Sequence, residues 1–84
     1  MVFLDNRVQT IEDASITRRG DAAIYSARIS ALTDETLAEL QRAAQAKIEL
    51  RICNPMTVLC MVIEELNPVG PGAVHLVARM TYIA

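Results

Sequence analysis

The stretch TDETLAELQRAAQA, residues 33–46, has the periodicity of an amphipathic helix and is followed by alternating strand-like segments. Its apolar residues recur at the spacing that places side chains on one helical face, namely Leu37, Leu40, Ala43 and Ala44. Thr33 is a suitable N-cap, and the acidic residues Asp34 and Glu35 follow it where the helix dipole favours negative charge. We therefore predict one helix over about residues 34–46.

The segment before this helix has the features of a β-hairpin. Residues 22–32 place side chains of different character on alternate positions, a period of two that predicts a strand. Residues 15–18 form a candidate partner strand, and the sequence Arg19-Gly20-Asp21 between the two has turn chemistry. Residues 7–12 are a further candidate strand beside the hairpin.

The segment after the helix predicts three more strands. Residues 48–53 alternate and end at the turn signal Asn54-Pro55. Residues 57–66 contain a continuous apolar run, which is typical of a central strand buried on both faces. Residues 67–72 contain two prolines and two glycines and predict a loop, and residues 73–83 predict a long final strand.

This order predicts a single α+β domain over residues 1–84, in which an N-terminal β-hairpin and one central helix precede three antiparallel strands. We expect a curled antiparallel sheet packed on the helix. One short helix covers about one face of such a sheet, yet the last two strands are apolar on both faces. Either the sheet covers itself by curling, or another chain covers the second face, and we favour association, including a homo-oligomer.

Composition excludes several classes of protein. With 52% hydrophobic and 21% charged residues among 84, the chain is neither disordered nor of low complexity. A net charge of −2 disfavours a surface that binds nucleic acid through phosphates. Asp5 follows the first four residues where a secretory signal would continue its apolar run, and no apolar run is long enough to cross a membrane. With only two cysteines, these features predict a cytoplasmic protein of a bacterium or phage-infected cell.

Few residues suggest catalysis or metal binding. His75 is the only histidine, and a catalytic role would pair it with Glu64 or Glu65 across a hairpin. Cys53 and Cys60 have no metal-binding spacing, and a turn at residues 54–55 would place Cys60 opposite Leu50 and out of reach of Cys53. We therefore expect small packed thiols, no metal and no cofactor.

We expect a partner to bind at two loops and one sheet face. The residues are Arg18, Arg19 and Asp21 at the hairpin tip, Pro68, Val69 and Pro71 in the second loop, and Val77 and Ile83 on the final strand. The predicted function is non-catalytic protein–protein interaction, as a small subunit or an inhibitor that binds a larger assembly. Seven arginines to one lysine, with many alanines, is a usage common in high-GC bacteria and their phages, which suggests a virion assembly part or a defence inhibitor.

Two alternatives remain open. One is a small enzyme that uses His75 with Glu64 or Glu65 at an oligomer interface. The other is a nucleic-acid binder that uses Arg18 and Arg19, although one Phe, two Tyr and no Trp provide almost no platform for base stacking.

Overall fold

The helix α1 spans Asp34–Ala46 in the computed structural model, which are the bounds that its sequence predicts. The Thr33 hydroxyl accepts a hydrogen bond of 3.1 Å from the amide of Thr36, so the predicted N-cap is confirmed. At the other end Lys47 adopts a left-handed conformation with a φ of 55°, and its amide donates to the carbonyl of Ala43. With 13 residues, α1 is too short to cross a bilayer, and it is the one helix among the described residues.

The structure describes residues 2–54 and 57–83. Within them six strands accompany α1: β1 Val2–Asp5, β2 Thr10–Arg19, β3 Ala22–Ser30, β4 Glu49–Asn54, β5 Thr57–Gly70 and β6 Ala73–Ile83. The predicted hairpin of β2 and β3 is present, with a two-residue turn at Gly20 and Asp21. The three strands after α1 are antiparallel neighbours, as predicted.

The strands form one sheet in the order β1-β4-β5-β6-β3-β2. All neighbours are antiparallel except β1 and β4, which are parallel, with Val2 opposite Leu50. The expectation of a purely antiparallel sheet is therefore wrong at this edge. The N-terminal segment, which no predicted strand covered, pairs beside β4 after a long connection through β2, β3 and α1.

The bounds of β3 and β4 differ from the sequence prediction by one or two residues, and two other strand assignments differ more. Residues 10–19 form one strand with a β-bulge between Glu12 and Ser15, so the two separate candidate strands at residues 7–12 and 15–18 merge. The strand β5 continues to Gly70, so residues 67–72 are mostly strand and not a loop. Pro68 is tolerated there because β5 pairs with β4 only up to Val62, which leaves one side of its later half without a neighbouring strand.

The sheet curls strongly without closing. Its edge strands β1 and β2 are joined by only residues 6–9, whereas the edges of a flat six-stranded sheet are about 24 Å apart. The connection is itself a turn, because the Asp5 carbonyl accepts hydrogen bonds from the amides of Val8 and Gln9 at 2.8 and 2.9 Å. The curl therefore brings the end of β1 beside the start of β2.

We call the face of the sheet that packs on α1 the inner face and the opposite one the outer face. The core lies between α1 and the inner face, where α1 packs against β5, β4 and β1. Its buried residues are Val2, Leu4, Tyr25, Ala27, Ile29, Leu32, Leu40, Ala43, Leu50, Ile52, Met61, Ile63, Val74, Leu76 and Ala78. Since α1 contacts mainly one half of the sheet, the inner face near β2 and β3 has a region that the helix does not cover.

Candidate functional site

The uncovered part of the inner face forms a groove of about 400 Å³, which we call the inner groove. It is lined by Asn6, Ile11, Ala14, Ser15, Ile16, Tyr25, Ile52 and Leu59. These residues come from the turn after β1, from the edge strand β2 and from β3, β4 and β5, so the curl of the sheet creates the groove. None of them was among the residues predicted to bind a partner.

The bulge in β2 supplies the apolar wall of the groove. Ile11 and Ile16 are five residues apart, a spacing that places side chains on opposite faces of a regular strand. The extra residue between Glu12 and Ser15, where Asp13 has a φ of 54°, shifts the alternation. Ile11 then lies opposite Ile29 and Ile16 opposite Tyr25, so both isoleucines face inward.

Tyr25 lies beneath this wall and is only 4% exposed. Burial raises the pKa of the Tyr25 hydroxyl above its ordinary value, because the charged phenolate is poorly solvated there. The phenol is therefore neutral at physiological pH and can donate a hydrogen bond within the groove. Ile16, by contrast, is 53% exposed and offers apolar surface to a ligand.

The rim of the groove includes the turn that joins the two sheet edges. Arg7 pairs with Asp5 at 2.9 Å and donates its backbone amide to the same carboxylate, also at 2.9 Å. The hydrogen bonds from Arg7 hold the pKa of Asp5 below its usual value. Because both residues flank Asn6, this pair orients the turn that carries one polar residue of the rim.

The outer face carries the histidine that the sequence singled out. His75 lies across from Asn67 on β5 and Arg28 on β3, and its Nε2 is 3.2 Å from the Ser26 hydroxyl oxygen. This contact with Ser26 was not predicted, because it depends on the β3–β6 register.

The expected contact of His75 with Glu64 or Glu65 is not formed among the described residues. Glu65 lies opposite Val77, and Glu64 falls at an irregularity in the pairing of β5 with β6. A serine beside Nε2 is the first step of a nucleophile–base arrangement, but no described carboxylate bonds to His75 to orient its ring. The geometry thus brings together a hydrogen-bonded pair and not the predicted acid–histidine pair.

The cysteines also differ from expectation in position. Because Asn54 pairs with Thr57, Cys60 lies opposite Arg51 and not opposite Leu50, and Cys53 lies opposite Val58. Both are free thiols on the outer face, at diagonal positions of neighbouring strands. The described residues contain no group of three or more His, Cys, Asp or Glu arranged to hold a metal ion.

A cluster of polar and aromatic side chains lies beside Cys60 at the β1 edge of the outer face. The Arg51 Nε donates a hydrogen bond of 2.7 Å to Glu49, and the Arg51 guanidinium lies 5.9 Å from the ring centre of Phe3. The bond from Arg51 lowers the pKa of Glu49. Phe3 is nevertheless 57% exposed, so this part of the outer face carries both apolar and paired charged groups.

The structure separates the two loops that were predicted to act in binding. Arg18, Arg19 and Asp21 are all exposed at the turn between β2 and β3. Pro68 and Val69 are exposed near the end of β5, with Val69 43% exposed, and Pro71 is exposed in the turn that follows. Since Arg19 pairs with Ala22 whereas Val74 pairs with Ile29, these turns lie at opposite ends of β3 and form no common surface.

The two remaining predicted residues lie on β6. Val77 is half-buried on the outer face, opposite Ser26. Ile83 ends β6 opposite Leu59, and its side chain lies outside the described part of the structure. The outer face is therefore less apolar than the alternation predicted, because charged residues and the Ser26–His75 pair are interleaved with its valines.

The chain was compared with protein-family models, with curated proteins and with solved structures, and no match was found in any of the three comparisons.

Proposed function

We propose that this protein is a non-catalytic binding protein that receives an apolar segment of a protein partner in its inner groove. It acts as a small subunit or an inhibitor of a larger assembly. The observation that carries the proposal is the inner groove itself, a concave and largely apolar surface that α1 leaves open. Its volume of about 400 Å³ suits one or two large side chains.

The chemistry of the groove suggests what the partner presents. Ile11, Ile16 and Leu59 form partly buried or exposed apolar walls above Tyr25 and Ile52. An aliphatic or aromatic anchor would remove this surface from water and gain its main stabilisation there. Fixed polar groups of the groove then orient the bound segment by hydrogen bonds.

The arginines at the hairpin tip favour a partner that carries negative charge. Arg18 is two residues beyond Ile16 on the same strand, so the alternation of β2 directs both toward the groove side. Arg18 and Arg19 are exposed. We therefore expect the partner's anchor to lie next to an acidic residue.

Residue usage and the two free thiols support a setting in the cytoplasm of a bacterium or a phage-infected cell, where thiols stay reduced. Within that setting, a virion assembly part and a defence inhibitor are both consistent with a protein that works by occupying a partner. The proposal concerns the groove and holds for either.

Selection from a random peptide display library tests the proposal. Wild-type protein should enrich peptides with an apolar anchor next to Asp or Glu. Ala14→Trp fills the groove with an indole, and we expect it to bind the selected peptides at least about tenfold more weakly in calorimetry. Thr17→Trp places the same side chain on the outer face of the same strand, and this control should bind like wild type.

Ala14 and Thr17 are both exposed, so we expect both variants to fold. Circular dichroism checks this expectation. If no peptide is enriched, or if Ala14→Trp binds as tightly as wild type, the groove is not the binding site.

A further inference from the structure

We infer that two copies of this chain associate through the free edge of β2, antiparallel to each other, to form one continuous sheet. We call this surface the β2 edge, defined as the side of residues 10–19 that faces away from β3. It differs from the inner groove, which is a face and not an edge, so the inference does not depend on the proposed function.

The first observation is the position of β2 in the sheet. It is the last strand of the sheet order and pairs only with β3 among the described residues. Backbone amides and carbonyls that point away from β3 therefore have no strand partner, and such a row is a template for another strand. The opposite edge is less suited, because β1 has only four residues.

The second observation is the exposure of the strand. Nine of the ten residues of β2 are exposed, and Ile11 is the exception. Ile16 is the one large apolar side chain among the exposed residues of β2, at 53%. A second strand can therefore approach the part of β2 that lies beyond the turn at residues 6–9, which the curl places beside the first residue of the strand.

The third observation is the order of charges along the strand. Glu12 and Asp13 lie in its first half, and Arg18 and Arg19 lie at its end. The two salt bridges of the described residues, Asp5–Arg7 and Glu49–Arg51, use none of the four. Charged side chains and a β-bulge, both present in β2, protect an edge against indiscriminate pairing, but the two signs of charge lie here in separate blocks that can complement each other.

The charge order selects one arrangement of two copies. A parallel, in-register pair would place acid on acid and base on base, which is destabilising. An antiparallel pair places the acidic end of one strand against the basic end of the other. The partner that complements this edge is therefore a second copy of the same chain.

Symmetry then selects the centre of the contact. When a two-fold axis perpendicular to the sheet relates the two copies, the inner face of one continues into the inner face of the other. Residues that lie opposite each other then share a face, so the residue on the axis must pair with the same residue of the second copy. Centring on Ile16 places the two exposed isoleucines side by side and directs the acidic segment at Glu12 and Asp13 toward the basic end of β2 in the second copy. The same contact leaves α1 and the outer face of each copy free.

Light scattering on a sizing column tests the inference with the full chain. Wild type should show a mass approaching twice 9.2 kDa as concentration rises, with weaker association at high salt. Two double variants give all charged side chains of β2 the same sign. Arg18→Glu with Arg19→Glu makes the strand all acidic, and Glu12→Lys with Asp13→Lys makes it all basic. Each alone should raise the dimer Kd by about tenfold or more, because every like-charge contact occurs twice in a symmetric pair.

An equimolar mixture of the two variants should associate again, because the all-acidic strand complements the all-basic one. As a control, Glu64→Lys with Glu65→Lys changes two exposed acids outside β2 and should leave the dimer intact. Circular dichroism checks that each variant is folded.

A wild-type monomer at every concentration would overturn the inference, including the case in which β2 instead accepts an extended peptide of another protein. A wild-type dimer that is indifferent to both charge variants would place the interface elsewhere. Folded variants that remain monomeric when mixed would equally overturn the antiparallel β2 contact.

Discussion

The backbone amide of Leu32 donates a hydrogen bond of 3.0 Å to the carbonyl oxygen of Gly72. This bond ties the connection between β3 and α1 to the turn between β5 and β6. Gly72 has a φ of 62°, and a Cβ added there would lie 2.8 Å from the carbonyl oxygen of Leu32. Glycine is therefore required twice at this position, for its conformation and for the close approach of another backbone.

A pair of glycine substitutions separates these two requirements. Gly20 has a similar φ of 63° but open space where a side chain would project, so Gly20→Ala should lower the free energy of unfolding by about 1–2 kcal/mol through conformation alone. Gly72→Ala adds a clash with backbone, and we expect a loss of about 2–4 kcal/mol. Urea denaturation measures both, and equal losses would show that the contact with Leu32 relaxes without cost.

The N-cap of α1 makes a measurable contribution to stability. Thr33→Ala removes the oxygen that accepts from the Thr36 amide, and we expect a loss of about 1 kcal/mol in the free energy of unfolding. Thr33→Ser retains the hydroxyl and should stay close to wild type. If the alanine variant is as stable as the serine variant, solvent satisfies the Thr36 amide equally well.

The bulge in β2 should be needed for the inner groove. Deleting Ala14 restores the regular alternation, which turns either Ile11 or Ile16 to the outer face and removes one apolar wall. We expect the deletion variant to lose the binding of selected peptides and about 1 kcal/mol of stability, because Ile11 is only partly buried and Ile16 is already 53% exposed.

Asp13→Gly is the matched control because it keeps the extra residue and suits the positive φ. It should bind peptides like wild type and match or exceed its stability. Full peptide binding by the deletion variant would mean that the strand register is set elsewhere.

Because Tyr25 is buried, the free energy of unfolding should depend on pH in the alkaline range. The pKa of Tyr25 is raised in the folded state, so the unfolded chain releases this proton first as pH rises. Stability is therefore complete below the ordinary tyrosine pKa of about 10 and falls as pH increases through the folded value. Tyr25→Phe should reduce this fall, measured as the difference in unfolding free energy between neutral and alkaline pH. An unchanged fall in the phenylalanine variant would assign it to other groups.

Local patterns predict much of this fold, because they depend on local physics. The apolar spacing and cap of α1, the turn at Gly20, and the alternation of β3 and β4 all fall where the sequence places them. The parallel partner of β4 has no such signal. A strand of four residues is too short to show a period, and its pairing depends on how the whole chain folds back.

The inner groove escaped prediction for a related reason. With a strict period of two, Ile11 and Ile16 belong to opposite faces, so the wall that they form appears only once the bulge is known. An isolated large apolar residue in an otherwise polar strand, such as Ile16, is the signal that could have found it. The contact of Ser26 with His75 likewise requires the register of β3 on β6, which no local pattern encodes.

The parallel pairing of β1 with β4 also affects the order in which the strands pair during folding. The hairpins of β2 with β3 and of β5 with β6 pair residues that are close in sequence. Val2 and Leu50, by contrast, are separated by more than half of the chain. We therefore expect β1 to dock last and to open first, with the fastest amide hydrogen exchange among the strands. Because the turn at Asn6 follows β1 directly, each such opening would also withdraw one rim of the groove.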